Sequence, residues 1–234
     1  MAGTIINDQY INFADKIYDM ALIGSALTLL PILVAIGTSF AKISIVLSLI
    51  RNALGVQQIP PNMTLYGIAL ILTLYIMKPV VSDMYELYNQ YSLSEQTQTD
   101  PSSDKVKKLS RAAEVIAKPL IVFLQKNTRD TELNFFLSSA KNIWPEKYHK
   151  DISKNDLLIL LPAFSVSEIT RAFEIGFLIY LPFIVIDLVV SNILLTLGMM
   201  MVSPMTITLP FKLLLFVMVD GWSRLMHGLV LTYK

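Results

Sequence analysis

The residues in this chain with the chemistry to do something are charged groups set in apolar sequence. Lys42, Asp187 and Lys212 sit within apolar runs, and Glu168, Arg171 and Glu174 stand at the edge of one. A charge at membrane depth is disfavoured by at least about 2.5 kcal/mol, so such groups pair or face a wet cavity. Glu168 with Arg171, and Arg171 with Glu174, are three residues apart and meet on one helix face. Asp187 and Ser191 are four apart with Asn192 beside them, a polar strip suited to facing a neighbouring helix or subunit. Two chemistries fit these groups: a proton or ion relay, or ion pairs that set helix register. A relay needs a chain of titratable groups, whereas Asp187 stands nearly alone. Structural pairing is therefore the favoured reading, with Lys42 or Lys212 as partner for Asp187. A secondary transporter or ion carrier using Asp187 is the alternative.

Other chemistry has less to stand on. The chain has no cysteine, which excludes disulfides, thiolate ligands and cysteine nucleophiles. Its two histidines, His149 and His227, are too few and too scattered for a metal site. No glycine-rich phosphate loop precedes a Lys-Ser or Lys-Thr pair, and no G-x-S-x-G elbow occurs. Neither an enzyme nor a cofactor is expected. A net charge of +1 gives nucleic-acid binding no electrostatic support.

The elements that must position these charges are membrane helices. Of 234 residues, 54% are apolar and 16% charged, against about a quarter charged in a soluble protein; the mean hydropathy is +0.56. The fold class expected is all-α: membrane-associated hairpins of kinked long helices around a polar helical insert. Residues 1–19 read as an amphipathic segment, with Tyr10, Phe13, Ile17 and Tyr18 at helical spacing behind Asp8. Asp8, Asp15 and Asp19 carry the wrong charge for a cleavable signal. Residues 20–81 form a first apolar hairpin whose leading helix should kink at Pro31. Gly37 and Ala41, Ala35 and Ser39, and Ser44 and Ser48 are small residues four apart, a spacing that allows close helix approach, although such residues are common anyway. The cationic loop Arg51–Asn62 breaks the hairpin: Gly55 ends the incoming helix and Pro60-Pro61 cannot continue one.

Residues 82–156 are the polar, solvent-facing insert. Asp83 to Asp156 carries eleven basic and eleven acidic residues. A flexible stretch is expected over Ser92–Ser103. Val106, Leu109, Ala113, Ile116, Leu120 and Phe123 lie on one helical face with a kink at Pro119, and Leu133, Phe136, Leu137 and Ala140 form a second set. Residues 157–234 make the second apolar hairpin. Ile175 to Val202 would span about 42 Å as straight helix, beyond a hydrocarbon core of about 30 Å. Ser203-Pro204 should break it, and Pro210 with Lys212 should mark a new start. The absence of a repeat relating the two blocks weighs lightly against an inverted-repeat transporter.

Between the breaks lies Gly198-Met199-Met200-Met201-Val202-Ser203-Pro204. Methionine is unbranched and polarizable, so a cluster moulds to irregular surfaces. Three consecutive residues on a helix point about 100° apart, but from a bent turn they could project together, and in a symmetric ring would make a soft constriction. From periodicity alone, ordinary membrane methionines remain the simpler reading.

Six ordered stretches together resemble the FliP/SctR family of type III secretion export-gate subunits. They are Gly37–Lys42 (GTSFAK), Arg51–Asn62 (RNALGVQQIPPN), Leu161–Phe164 with Ser167-Glu168, Ala172–Leu188 (AFEIGFLIYLPFIVIDL), Leu197–Pro204 (LGMMMVSP) and Leu209–Trp222 (LPFKLLLFVMVDGW). They cover both apolar blocks; the insert and the N-terminal segment add little. The resemblance implies a pentameric homo-oligomer co-assembling with SctS-type and SctT-type subunits, and with an SctU-type subunit, in the bacterial inner membrane. It implies that unfolded secreted proteins pass through, driven by a separate ATPase and the proton motive force. Met199, Met200 and Met201 would then be the pore gasket. The loop holding Arg51, Asn52, Gly55, Pro60 and Pro61 would be cytoplasmic, and the insert periplasmic. Much apolar sequence would pack on other subunits, with membrane lipid as neighbour to only part of the chain. The lack of a signal peptide makes the chain look like the injectisome branch rather than the flagellar one.

Overall fold

The computed structural model describes residues 31–56, 59–96 and 112–234, with Met20, Ala21, Gly24, Ser25 and Thr28 ahead of them. The amphipathic segment expected over residues 1–19, the end of the flexible stretch after Gln96, and Val106 and Leu109 of the insert lie outside the described residues. The architecture is all-α, as expected: no strand occurs among the described residues. The helices are α1 (Pro31–Gly37), α2 (Phe40–Ala53), α3 (Asn62–Gln96), α4 (Lys118–Asn127), α5 (Asp130–Ile143), α6 (Leu157–Thr196), α7 (Pro204–Met218) and α8 (Gly221–Leu231). A 3-10 helix at Glu146–Asp151 precedes α6.

α6 is the spine. At 40 residues it is about 60 Å long, twice the hydrocarbon thickness. Its first turns pack against α4 and α5, where Leu124 and Leu133 meet Ile159, Leu160, Ala163 and Phe164. Further along, the same helix packs against α2 and α7. There Ile43, Val46, Leu47 and Ile50 of α2 join Ala172 and Phe183 of α6, Phe216 of α7 and Leu229 of α8 in the larger core. The insert helices thus dock their apolar faces on the second apolar block and leave their polar faces exposed.

Several local expectations shift. The leading segment bends by 77° between α1 and α2, at Thr38-Ser39; the kink expected at Pro31 depends on residues 29 and 30, which lie outside the described residues. The Thr38 hydroxyl donates to the Val34 carbonyl and accepts from the Phe40 N–H at 3.3 Å. That side chain competes with the helical ladder and lets the chain turn. α3 does not stop near Lys78-Pro79: it runs through Pro79 to Gln96, so the composition change at residue 81 falls inside one helix. The break expected near Pro119 in the insert helix falls two residues ahead of it. A turn at Ala117 separates residues 112–116 from α4, and Pro119 sits in the first turn of α4, where its missing N–H is harmless. Likewise α7 starts at Pro204 and continues through Pro210. It meets α8 at 60°, across Asp220, whose φ of 52° is left-handed. Gly221 follows because a Cβ there would lie 2.4 Å from the Phe216 ring.

Where α2 and α6 cross, Gly176 admits the Leu49 side chain; a Cβ there would stand 2.3 Å from Leu49 Cδ1. At Gly37 a Cβ would only touch Leu161, at 3.6 Å. α3 and α6 are each long and apolar enough to cross a membrane, and the bent pairs α1–α2 and α7–α8 raise the candidate spans to four.

Candidate functional site

Two ionic clusters, one of them buried at its centre, an inter-helix loop and one exposed turn hold the residues singled out by type. In the first cluster, Lys42 from α2 and Glu168 from α6 are both fully buried, with Nζ 3.4 Å from Oε1. Arg171, one turn along α6, reaches the same oxygen at 3.4 Å. The other oxygen, Oε2, accepts the phenol of Tyr233, whose ring lies under the Lys42 ammonium at 3.6 Å. The carboxylate is therefore shared among two cations and a hydroxyl, which satisfies a charge that burial alone would make untenable. Burial, then the neighbouring Glu168 charge, hold the Tyr233 phenol well above the usual phenol range, so it stays a donor.

The cluster is tied to the insert. Arg171 donates to the Asn127 carbonyl at the end of α4 at 2.7 Å, and the Arg129 N–H donates to Ser167 Oγ at 3.0 Å. The Arg129 guanidinium pairs with Glu174. Here the sequence reading needs correction: Arg171 pairs with Glu168 as its spacing suggests, but Glu174 pairs with Arg129, 45 residues away, because the α4–α5 junction lies against that face of α6.

The second cluster is smaller. Lys212 of α7, nearly buried, places Nζ 2.6 Å from Asp187 Oδ2 on α6 and donates to the Ala53 carbonyl at the end of α2 at 3.3 Å. Of the two cations considered for Asp187, Lys212 is the one in contact, and Lys42 serves Glu168. The Asp187 side chain is 41% exposed, so the six charged residues form two groups rather than one network.

The Arg51–Asn62 loop folds back on itself. Arg51 donates to the Pro60 carbonyl at 3.4 Å and to the Asn62 side chain. Asn52 is exposed and still helical, and its carbonyl accepts from the Gly55 N–H at 3.1 Å. Gly55, at φ 75°, takes the left-handed position that ends α2; Pro60 follows a cis peptide bond, and Pro61 precedes α3. A Cβ on Gly55 would touch Met205 at 3.5 Å, so this loop sits beside the start of α7.

Immediately before α7 is the methionine turn. Gly198, at φ 73°, ends α6, and the Met199 N–H bonds back to the Leu194 carbonyl at 3.0 Å. Met199, Met200 and Met201 are 43%, 82% and 100% exposed. They project from the tip of the α6–α7 hairpin. Among the described residues no group of acidic or histidine side chains is placed to hold a metal ion.

Tyr233 was not legible in the sequence. Nothing in its spacing marks it, and its partners lie 65 and 191 positions away. Ser167, by contrast, belongs to a quoted motif, though its role at the Arg129 amide emerges only from the fold.

The FliP family matches residues 23–229. The chain is 52% identical to Yop proteins translocation protein R of Yersinia pestis over 225 residues, 95% of this chain and 99% of that protein. It is 47% identical to virulence protein YscR of Salmonella typhimurium over 89% of this chain and 93% of that one. It is 45% identical to hypersensitivity response secretion protein HrcR of Ralstonia nicotianae over 97% and 100%. With the methionine turn, the Lys212–Asp187 pair and the Lys42–Glu168–Arg171 group all inside the matched region, this chain belongs to the FliP family of type III secretion export components, in its injectisome branch.

Proposed function

We propose that this chain is a pore-forming subunit of a type III secretion export gate. It assembles into a ring, a pentamer by family resemblance, with SctS-type, SctT-type and SctU-type subunits in the bacterial inner membrane, and unfolded proteins cross through it. Met199, Met200 and Met201 close the channel as a flexible gasket. The Arg51–Asn62 loop lies on the cytoplasmic side and the insert on the periplasmic side. The chain performs no catalysis; its work is passage and sealing.

The observation that carries this reading is the exposed methionine tip. Three consecutive apolar side chains on a turn, the last fully exposed, are unfavourable in water unless something closes over them. Thioether side chains adapt to a moving surface better than branched ones, which suits a seal that must yield to varied polypeptides. The fold around the tip is braced, with Gly55 against Met205 and Lys212 joining α7 to α2 and α6. Deleting Met199–Met201 is expected to leave the complex assembled while making the closed channel leak ions, measured as dye or ion efflux from vesicles holding the complex. Unchanged permeability would remove the gasket role.

The transporter alternative rests on Asp187. Its contact with Lys212 at 2.6 Å favours a register-setting pair over a relay. Asp187→Asn should therefore reduce assembly before it affects conduction; loss of transport in a fully assembled complex would revive the alternative.

A further inference from the structure

The ionic clusters above are explained by charges that must be hidden, but Tyr233, in the segment after α8, is drawn into one of them with no charge of its own. Tyr233 makes three contacts with three different parts of the molecule. Its hydroxyl donates to Glu168 Oε2 on α6. Its ring face lies 3.6 Å from the Lys42 ammonium on α2. The ring also stacks on Phe123 of α4, with centroids 6.0 Å apart and planes at 16°. Phe123 in turn tilts against Phe164 of α6 at 6.0 Å.

These contacts are of unequal kind. Among the described residues Lys42 makes one hydrogen bond, to Glu168, at a long 3.4 Å, where charge-assisted bonds usually fall at about 2.7–2.9 Å. The ring face is therefore a substantial part of what stabilises a fully buried ammonium, through the attraction of a cation for an aromatic quadrupole. Glu168 Oε1 is occupied by both cations, so without the phenol Oε2 would be a buried acceptor left unpaired. One side chain completes the coordination of both members of the pair.

We propose that Tyr233 is a positioning residue that clasps the segment after α8 onto the insert and fixes Glu168 between Lys42 and Arg171. The clasp has a mechanical consequence. Lys42 lies three residues beyond the Thr38-Ser39 bend, and Arg171 holds the end of α4. Through Tyr233 the start of α2, the end of α4 and the first half of α6 are locked to the chain segment that follows α8. The subunit enters a ring as one rigid frame, with only its apolar faces and methionine tip left to adapt.

The test is a double-substitution cycle on the complex extracted from membranes with its partner subunits, read by the midpoint of thermal dissociation. Tyr233→Phe keeps the ring and removes only the hydroxyl. It is expected to lower the midpoint by about 5 °C in the native background, and by less than half as much where Glu168 is already Gln. Equal shifts in the two backgrounds, or no shift in either, would overturn the proposal. A second measurement does not require assembly: acetylation of Lys42 in native membranes, quantified by mass spectrometry against the exposed Lys141 of the same chain. Lys42 should stay protected in the native protein and in Tyr233→Phe, and become at least tenfold more reactive in Tyr233→Leu. Unchanged protection in Tyr233→Leu would show that the ring does not shield the ammonium, and the proposal would fall. The proposal rests on the export-subunit reading only for the choice of complex. An additive cycle in a leak-tight complex sinks the clasp alone, and a leak test that fails beside a coupled cycle sinks the gasket alone.

Discussion

At Glu168 the carboxylate has no water to turn to, and its stability depends on Lys42, Arg171 and Tyr233 together. Breaking a buried pair by removing one partner destabilises by about 3–5 kcal/mol, because an uncompensated charge is left behind. The arrangement predicts an order of damage. Glu168→Gln strands two cations and should lie at the severe end of that range. Lys42→Met leaves the Glu168–Arg171 pair intact and should be milder, and the double variant should recover part of the loss relative to the sum. Thermal dissociation of the four complexes measures this; a more damaging Lys42→Met would contradict the geometry. Spacing alone identified Glu168 with Arg171, since three residues on a helix share a face. It could not identify Lys42, 126 positions away, because periodicity carries no information about which helices become neighbours.

Among the elements, α6 sets the frame, and its least conspicuous residue limits how closely α2 can approach. Gly176→Ala would drive a Cβ to within 2.3 Å of Leu49 Cδ1. Overpacking of this kind typically destabilises by about 1–3 kcal/mol. The expected outcome is a lower yield of assembled complex, rescued in part by Leu49→Ala; failure of that rescue would mean that the crossing is not where strain enters. Gly37→Ala, which meets only ordinary contact at 3.6 Å, should be tolerated by the same assay. The small-residue spacing from Gly37 to Ser48 suggested close packing, and α2 does pack on α6, with the tightest glycine contact contributed by Gly176 of α6 against Leu49 of α2. A glycine marks close approach only when the opposing side chain is known. The proline breaks were more readable: Pro204 opens α7 where a break was expected. Pro79 and Pro210 are both carried inside helices, since a lost backbone bond is bearable where neighbouring elements hold the segment.

Viewed whole, the molecule leaves much of its apolar surface without a protein neighbour. Phe173, Phe177 and Leu178 on α6, Leu74 on α3, and Leu214 and Val217 on α7 are all more than half exposed. The two longest helices, at 35 and 40 residues, are about 52 and 60 Å long, so the hydrocarbon layer of about 30 Å covers only part of either. In the proposed ring, sister subunits would cover the remainder. Native mass measurement of material extracted from membranes should find several copies of this chain together with smaller subunits. A stable monomer that conducts in lipid would contradict the ring.

Sequence by itself determined the class of solution. Apolar content, the two hydrophobic blocks, the loop at Arg51–Asn62 and the methionine run are local properties, set by residue type and short-range spacing. Six ordered motifs resolved the family for the same reason, since each is contiguous. Tertiary structure alone decided which charges meet: Lys212 with Asp187, Lys42 with Glu168, Arg129 with Glu174. It also placed a bend at Thr38, where a hydroxyl competes for the backbone, and brought Tyr233 to the buried pair. A charge in an apolar run announces that it needs a partner, but the partner is chosen by where the helices cross.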